Sequence, residues 1–466
     1  MKRKTKIIVT VGPASSSSAM LSKLINAGIN VVRLNFSHGT HQAHAEVLNF
    51  VRSFCKEKGK FVAILQDLQG PKIRIGNLSC GYQAKKGKEV IISAQSTGSS
   101  VILVDYPLFD KEISIGDPIL IEDGIIKLKA IRKTTEGVVC KVIQGGIINS
   151  RKGVNLPSTP LSLTSLTDKD KRDILWGIEQ GVDFIALSFV RTARDILELK
   201  SILHKHKVEI PVIAKIERPE AVKNLSEILS FCEGVMIARG DLGVEEPAER
   251  VPFLQKKIID LAIKRDKFAI VATQILDSMI HSPRPTRAEV TDIANAVYEG
   301  ADALMLSGET SIGLYPLESV RLMDKIIKES EKHLPDFTGV YLHPEYKLAD
   351  SLAHGAVAIG KDLKVKALVS FTISGFTPFL ISKYQPPFLI FGATPNYNIA
   401  CRMCMYRGVV PLLISMIKTP QDLINQIEKA LCSKYNFKPK DVIVILGEFP
   451  SSGRKETANF LKIHII

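Results

Sequence analysis

The feature that most constrains this chain is a series of apolar runs, each turning polar at its carboxyl end. They begin at Ile7, Val31, Phe61, Phe184, Val212, Gly234, Phe268 and Ala303. In the run from Val31, Arg33, Asn35 and Ser37 alternate with apolar residues, so as a strand they share one face. The run from Val212 ends Lys215-Ile216-Glu217, which puts Lys215 and Glu217 on one face with Ala214 and Ile216 on the other. The run from Phe61 leads into Gln66 and Asp67, and the expected strand Phe268–Thr273 ends in a hydroxyl. Eight strands that deliver reactive groups at their carboxyl ends describe the active face of a (β/α)8 TIM barrel.

The runs are not evenly spaced. Residues 1–71 alternate strand and helix, with a first strand Ile7–Val11 and a short helix Ser18–Ala27 that stops at Gly28. From Lys72 to Leu163 the pattern becomes short alternating segments, such as Glu89–Ser93, Val101–Val104 and Pro118–Ile121, separated by Gly and Asp. This reads as an inserted all-β lid domain, placed between the third strand and its helix so that it covers the barrel mouth. Helical periodicity resumes near Leu166, with Thr167 or Asp168 as the cap, and Thr286 to Glu289 fits a capping box. Near residue 335 a C-terminal α/β sheet domain begins, with strands Ala367–Phe371, Phe388–Phe391, Val409–Ile414, Val442–Leu446 and Ile463–Ile466. The expected domains are thus 1–71 with 164–334, then 72–163, then 335–466.

Composition excludes several classes. Hydrophobic residues make up 45% and charged residues 24%, the balance of a globular protein. No apolar run reaches the roughly 18 residues of a membrane span. The basic start Met1 to Lys6 runs straight into a strand rather than a signal peptide's apolar region, so the expected location is cytoplasmic. The net charge is +14, yet it is dispersed and lacks the basic-aromatic pattern of nucleic-acid binding. Anionic small substrates fit it better. Seven cysteines without a secretory signal suggest reduced thiols. Cys401 and Cys404 form a CxxC without a second pair at zinc spacing, and they read as one packed helix face between Asn398 and Arg407.

The chemistry concentrates in Lys215-Ile216-Glu217 and Ala238-Arg239-Gly240-Asp241-Leu242-Gly243. Glu217 and Asp241 are hard oxygen ligands of the kind that hold Mg²⁺ together with substrate phosphates, and a lysine beside them suits a phosphoryl group in transfer. A strand-end salt bridge is the plainer alternative.

Eight ordered segments carry a family likeness: RLNFSHG at 33–39, DLQGPKIR at 67–74, RKGVNLP at 151–157, AKIERPE at 214–220, ARGDLGVE at 238–245, ATQ at 272–274, PRPTRAE at 283–289 and LSGET at 306–310. Over nearly its whole length the chain resembles pyruvate kinase. The resemblance implies transfer of the phosphoryl group of phosphoenolpyruvate to ADP, giving pyruvate and ATP. It implies that Arg33 and Lys215 face the phosphoryl group and that Glu217 and Asp241 hold Mg²⁺ or Mn²⁺. Peptide N–H groups around Gly240 and Asp241 would bind the substrate carboxylate, and Thr273 would work through water near the enolate's methylene carbon. Asn35, His38, Arg74 and Lys152 match nucleotide-facing positions. Asn35, Ser37, Asp67 and Leu68 match a K⁺ site, but Lys72 stands where K⁺-requiring relatives carry glutamate. An ammonium can substitute for the ion's charge, so activity without K⁺ is expected.

In the last domain, Thr372, Ser374, Gly375 and Thr377 follow a strand and open a helix, an arrangement that suits a phosphorylated effector. Ser451-Ser452-Gly453-Arg454-Lys455 could add cations there. Ile373 and Phe376 replace basic residues of some relatives, which leaves the effector's identity open; an ordinary helix cap is the alternative. The family is usually a homotetramer joined through the barrel and the third domain. Two rival readings remain. One is an aldolase or lyase acting on phosphoenolpyruvate or pyruvate, which has no need of the Arg74 and Lys152 pair. The other is a non-catalytic sensor, which would be expected to have lost Lys215, Glu217 or Asp241.

Overall fold

A computed structural model describes residues 3–95, 101–157, 159, 161–334, 347–417, 419–448 and 458–466. The first three strands are β1 (Lys6–Thr10), β2 (Val31–Asn35) and β3 (Ala63–Asp67). The insertion follows: β4 (Tyr82–Ala84), β5 (Glu89–Ser93), β6 (Val101–Leu103), β7 (Pro118–Ile121), β8 (Ile126–Thr134), β9 (Gly137–Gln144), β10 (Gly146–Ile148) and β11 (Val154–Asn155). The chain then returns with β12 (Phe184–Leu187), β13 (Val212–Ile216), β14 (Gly234–Ala238), β15 (Phe268–Ala272) and β16 (Ala303–Leu306). These five close with β1–β3 into a parallel barrel in chain order, β1 pairing with both β2 and β16.

The strands are buried on both faces, as parallel strands covered by helices must be. Ile8, Val31, Leu65, Phe184, Ile213 and Ile270 fill the interior, while Val9, Val32, Ile64, Ile185, Ala214 and Val271 pack outward against the helices. The Phe184 and Phe268 rings meet edge to face at 5.7 Å. Phe268 fits only because position 234 is glycine: a Cβ there would sit 2.3 Å from its ring. Capping follows the sequence, since Thr167 with Asp170 and Thr286 with Glu289 form reciprocal capping boxes.

The insertion is all-β: a six-stranded sheet in the order β11-β7-β8-β9-β5-β6 and a small β10-β4 pair around its own apolar core. It leaves the barrel after Gly70 (φ 68°), where a Cβ would lie 2.8 Å from the Phe189 ring.

The last domain holds β17 (Ala367–Phe371), β18 (Leu389–Thr394), β19 (Val409–Leu413), β20 (Val442–Gly447) and β21 (Phe460–Ile465). Their order is β19-β18-β17-β20-β21, parallel except for β21. This domain docks on the amino-terminal end of the barrel, opposite the carboxyl ends that carry the reactive groups. Lys6 Nζ donates to the Val409 carbonyl at 2.6 Å, and Lys383 Nζ reaches Asp302, just before β16, at 3.0 Å. Cys404 and Met405 join the residues that fill the barrel interior. The CxxC is therefore packing. Its helix ends earlier than expected, at Arg402, with a 3₁₀ turn Met403–Met405 beyond; both thiols are buried, and burial pushes Cys401 up to about 12. Among the described residues no helix is long and apolar enough to cross a membrane.

Candidate active site

The end of β13 organises the site. Lys215 and Glu217 point inward as the alternation requires. Lys215 Nζ lies 2.8 Å from Glu217 Oε1 and 3.3 Å from Asp67 Oδ1 at the end of β3, and donates to Ser188 Oγ at 2.8 Å. Arg33 on β2 donates from Nε to Asp67 Oδ2 at 2.6 Å and from Nη1 to Thr10 Oγ1 at 2.9 Å. Three strand ends, of β2, β3 and β13, thus meet at two cations and two carboxylates, all buried. The register explains why: β2 and β3 pair Arg33 with Leu65 and Asn35 with Asp67, so side chains of like parity arrive at the same level.

Burial alone would lower the Lys215 ammonium's pKa, but Asp67 and Glu217 outweigh it and hold it above its ordinary value. Burial would raise Asp67, yet Lys215 and Arg33 bring it below the usual carboxylate range. Glu217 goes the other way: burial and the neighbouring Asp241 push it up although Lys215 opposes them. Glu217 and Asp241 thus bring two carboxylates near one another, a donor pair that would suit a divalent cation. Glu217 Oε2 accepts the Phe189 N–H at 2.7 Å, which fixes the carboxylate. Among the described residues no three His, Cys, Asp or Glu gather as a complete metal cage. Two carboxylates, with the remaining positions left to substrate oxygens and water, is the pattern Mg²⁺ favours.

Asp241 lies in a short helix, Arg239–Glu245, that starts where β14 stops. Its neighbour corrects one expectation. The Gly240 N–H, expected among those facing the substrate carboxylate, here donates to Thr273 Oγ1 at 2.7 Å, while Asp241 stands in the helix's first turn. Thr273 corrects another. It lies just beyond β15, not in it, at φ 66°, and Gln274 follows at φ 53°. Its hydroxyl donates to the Ala272 carbonyl at 2.6 Å.

Between the insertion and this helix lies a cavity of about 570 Å³, with Lys72 and Asp123 on one wall and Asp241, Val244 and Gln274 on the other. The insertion touches the barrel through Asn155, which donates to Glu245 Oε1 at 2.9 Å, and through the Leu156 carbonyl, which accepts from Arg218 at 3.2 Å. Arg74 and Lys152 sit side by side at the joins, since Arg74 bridges Gly153 antiparallel. Arg74 Nη1 donates to the Arg151 carbonyl at 3.1 Å, and Lys152 is ion-paired with Glu122. His38 is exposed on the loop after β2.

The K⁺-type residues also converge. Asn35 Oδ1 accepts the Ser37 N–H at 3.2 Å, and the Leu68 carbonyl accepts from Ser188 Oγ at 2.6 Å. The Asp67 carboxylate faces Arg33 and Lys215. Lys72 makes no ion pair among the described residues.

In the third domain, Thr372 Oγ1 accepts the Gly375 N–H at 2.8 Å and Ser374 Oγ accepts the Phe376 N–H at 3.3 Å. Gly375 (φ 84°) caps the helix Phe376–Lys383, whose first turn holds Thr377. The loop 451–455 lies outside the described residues.

Sequence reasoning passed over Ser188 and gave Arg239 no role. Ser188 was findable as the polar residue closing the apolar run from Phe184; the contacts of Arg239 are set only by tertiary packing.

A barrel whose strand ends pair buried cations with carboxylates, beneath a β insertion with further cations at its joins, has the make-up of an enzyme of phosphoryl transfer. Two family models match the chain, pyruvate kinase barrel domain over residues 2–320 and pyruvate kinase alpha/beta domain over residues 350–464. It is 41% identical to a pyruvate kinase of Geobacillus stearothermophilus, aligned over 475 positions that cover all of this chain and 81% of that protein. It is 42% identical to pyruvate kinases of Staphylococcus epidermidis and Staphylococcus aureus, covering all of this chain and 80% of each. The chain belongs to the pyruvate kinase family.

Proposed function

We propose that Arg33, Lys215, Glu217, Asp241 and Thr273 carry the reaction of this pyruvate kinase, in which the phosphoryl group of phosphoenolpyruvate passes to ADP. The observation that supports this most is Lys215, buried within 3.3 Å of both Glu217 and Asp67. Its charge is secured by those two carboxylates, so it stays cationic while a phosphoryl group moves past it. Phosphoryl transfer needs positioning and charge neutralisation rather than covalent chemistry by the protein.

The bond from phosphorus to the enol oxygen breaks, and a bond to the terminal phosphate oxygen of ADP forms. Arg33, held by Asp67 and Thr10, presents its remaining N–H groups to the phosphoryl oxygens. Lys215 offsets charge on the group in transit. Glu217 and Asp241 are the residues that would hold Mg²⁺ or Mn²⁺; when bound, that ion neutralises phosphoryl and carboxylate oxygens. The enolate left behind takes a proton at its methylene carbon from a water ordered by the Thr273 hydroxyl, and its oxygen becomes the ketone of pyruvate. Arg74 and Lys152 serve the nucleotide from the lid, and Asn35 and His38 from the barrel at the end of β2. Lys72 supplies a cation on the lid side of the cavity, so K⁺ is not required; that it makes no ion pair among the described residues supports this. The turn from Thr372 to Thr377 takes a phosphorylated effector. The subunits form a homotetramer, in keeping with exposed Ile312 and Leu314 on the barrel and Ile463 and Ile465 on the edge strand β21.

The test is pyruvate release from phosphoenolpyruvate and ADP with Mg²⁺, beside Lys215→Met. Loss of a stabiliser of this kind costs about 10²–10³ in kcat. A variant within a factor of about three of the parent would remove Lys215 from the transfer step. No pyruvate from the parent, despite phosphoenolpyruvate binding, would overturn the whole assignment in favour of a sensor.

A further inference from the structure

We propose that Arg239 is a positioning residue that holds Thr273 for proton delivery to the enolate. The inference rests on the reading that Thr273 orders the proton-donating water.

Thr273 and Gln274 both lie in the left-handed region, at φ 66° and 53°. For a β-branched residue that conformation is an outlier, kept only where surrounding contacts over-determine it. A single guanidinium supplies those contacts. Arg239 donates to the Thr273 carbonyl from Nε at 3.2 Å and from Nη2 at 2.8 Å, and to the Gln274 carbonyl from Nη2 at 2.8 Å. Its other terminal nitrogen reaches Asp292 at 2.6 Å and Gln255 at 3.4 Å. The planar fork is thus filled on both sides, a geometry that lysine cannot reproduce. The next residue completes the grip, since the Gly240 N–H donates to Thr273 Oγ1 at 2.7 Å. Residue 239 fixes the backbone of Thr273 and residue 240 fixes its hydroxyl. Arg239 itself is 9% exposed.

Among the described residues the hydrogen bonds of Thr273 go to Arg239, Gly240 and Ala272, and none to Lys215, Arg33 or Glu217, which serve phosphoryl transfer. Loosening it should therefore slow protonation more than transfer, because small misplacements of a positioned group cost rate steeply.

The experiment compares Arg239→Gln, Thr273→Val and the parent as full chains with Mg²⁺. ATP formed in a single turnover from phosphoenolpyruvate and ADP, before protonation can limit the cycle, reports transfer. Deuterium uptake into the pyruvate methyl group, followed by NMR with pyruvate and ATP in heavy water, reports the reverse of protonation. The expected result for Arg239→Gln is exchange slowed about tenfold to a hundredfold, with ATP formation within about threefold of the parent. Added guanidinium should restore exchange in Arg239→Ala, which a collapsed fold would not allow. An equal fall in both rates without guanidinium rescue makes Arg239 merely structural and overturns the proposal. Exchange lost in Thr273→Val but intact in Arg239→Gln overturns the positioning role alone. Exchange intact in Thr273→Val overturns the reading of Thr273 and the inference with it.

Discussion

Removing Lys383 should loosen the third domain from the barrel by a predictable amount. Lys383 ends the helix Phe376–Lys383, and its ammonium lies 3.0 Å from both Asp302 oxygens and 2.9 Å from the Lys267 carbonyl. Both side chains are about 95% shielded from solvent, with relative exposures of 5% and 4%. Burial pulls the Lys383 ammonium below its ordinary value although Asp302 opposes this. Breaking a buried pair from one side typically costs about 3–5 kcal/mol, because a charge is left uncompensated. In Lys383→Met, Asp302 keeps the Ala269 N–H on Oδ2 at 2.9 Å and the field of Arg407. That remaining support brings the expected loss just below that range, to about 2–3 kcal/mol. The double variant Lys383→Met with Asp302→Asn removes both charges and should regain most of the loss, with a coupling of about 1–3 kcal/mol. Urea unfolding followed by fluorescence, with limited proteolysis to report release of the third domain, measures both quantities. A loss below about 1 kcal/mol in the single variant, or a double variant no better than the sum of the singles, would refute the reasoning.

Three further outcomes are expected. Lys72→Glu should convert K⁺-independent turnover to turnover that requires K⁺, measured as pyruvate release in a Na⁺- and K⁺-free buffer before and after adding K⁺; a parent that already needs K⁺ removes the argument. Gly234→Ala should cost about 1–3 kcal/mol, seen as a lower Tm, because its Cβ would lie 2.3 Å from the Phe268 ring inside the barrel. The Glu289 carboxylate is held below its ordinary value: burial would raise it, but the hydrogen bonds from Ser278 and Thr286 outweigh that. A carboxylate with a depressed folded pKa stabilises above its unfolded value, about 4.3, and this contribution is lost as pH falls through the folded one. Glu289→Gln should therefore narrow the Tm difference from the parent as pH drops from about 6 to about 3, and a constant difference would contradict it.

The sequence by itself determined the local half of this protein. Period-two alternation set which face Arg33, Lys215 and Glu217 take, and the apolar runs set the eight barrel strands to within a residue or two. The switch to short alternating segments at Lys72 marked the inserted β domain, and capping residues at Thr167 and Thr286 placed helix starts. Each of these depends on neighbours in the chain, so a linear reading captures it. What only the tertiary structure decided are contacts between residues far apart in sequence. Lys215 meeting Asp67 depends on the register of β3, β12 and β13 around a closed barrel. Thr273 was read as a strand end because its neighbours are apolar, yet it turns left-handed under Arg239 and Gly240, which arrive from another strand. The bond from the Gly240 N–H to Thr273 and the ion pair of Lys152 with Glu122 across the insertion were equally beyond a linear reading. The third domain's place at the far end of the barrel rests on Lys6, Lys383 and Asp302, which have no local signature at all. Periodicity fixes a side chain's direction; only closure of the barrel and docking of the domains fix what it faces.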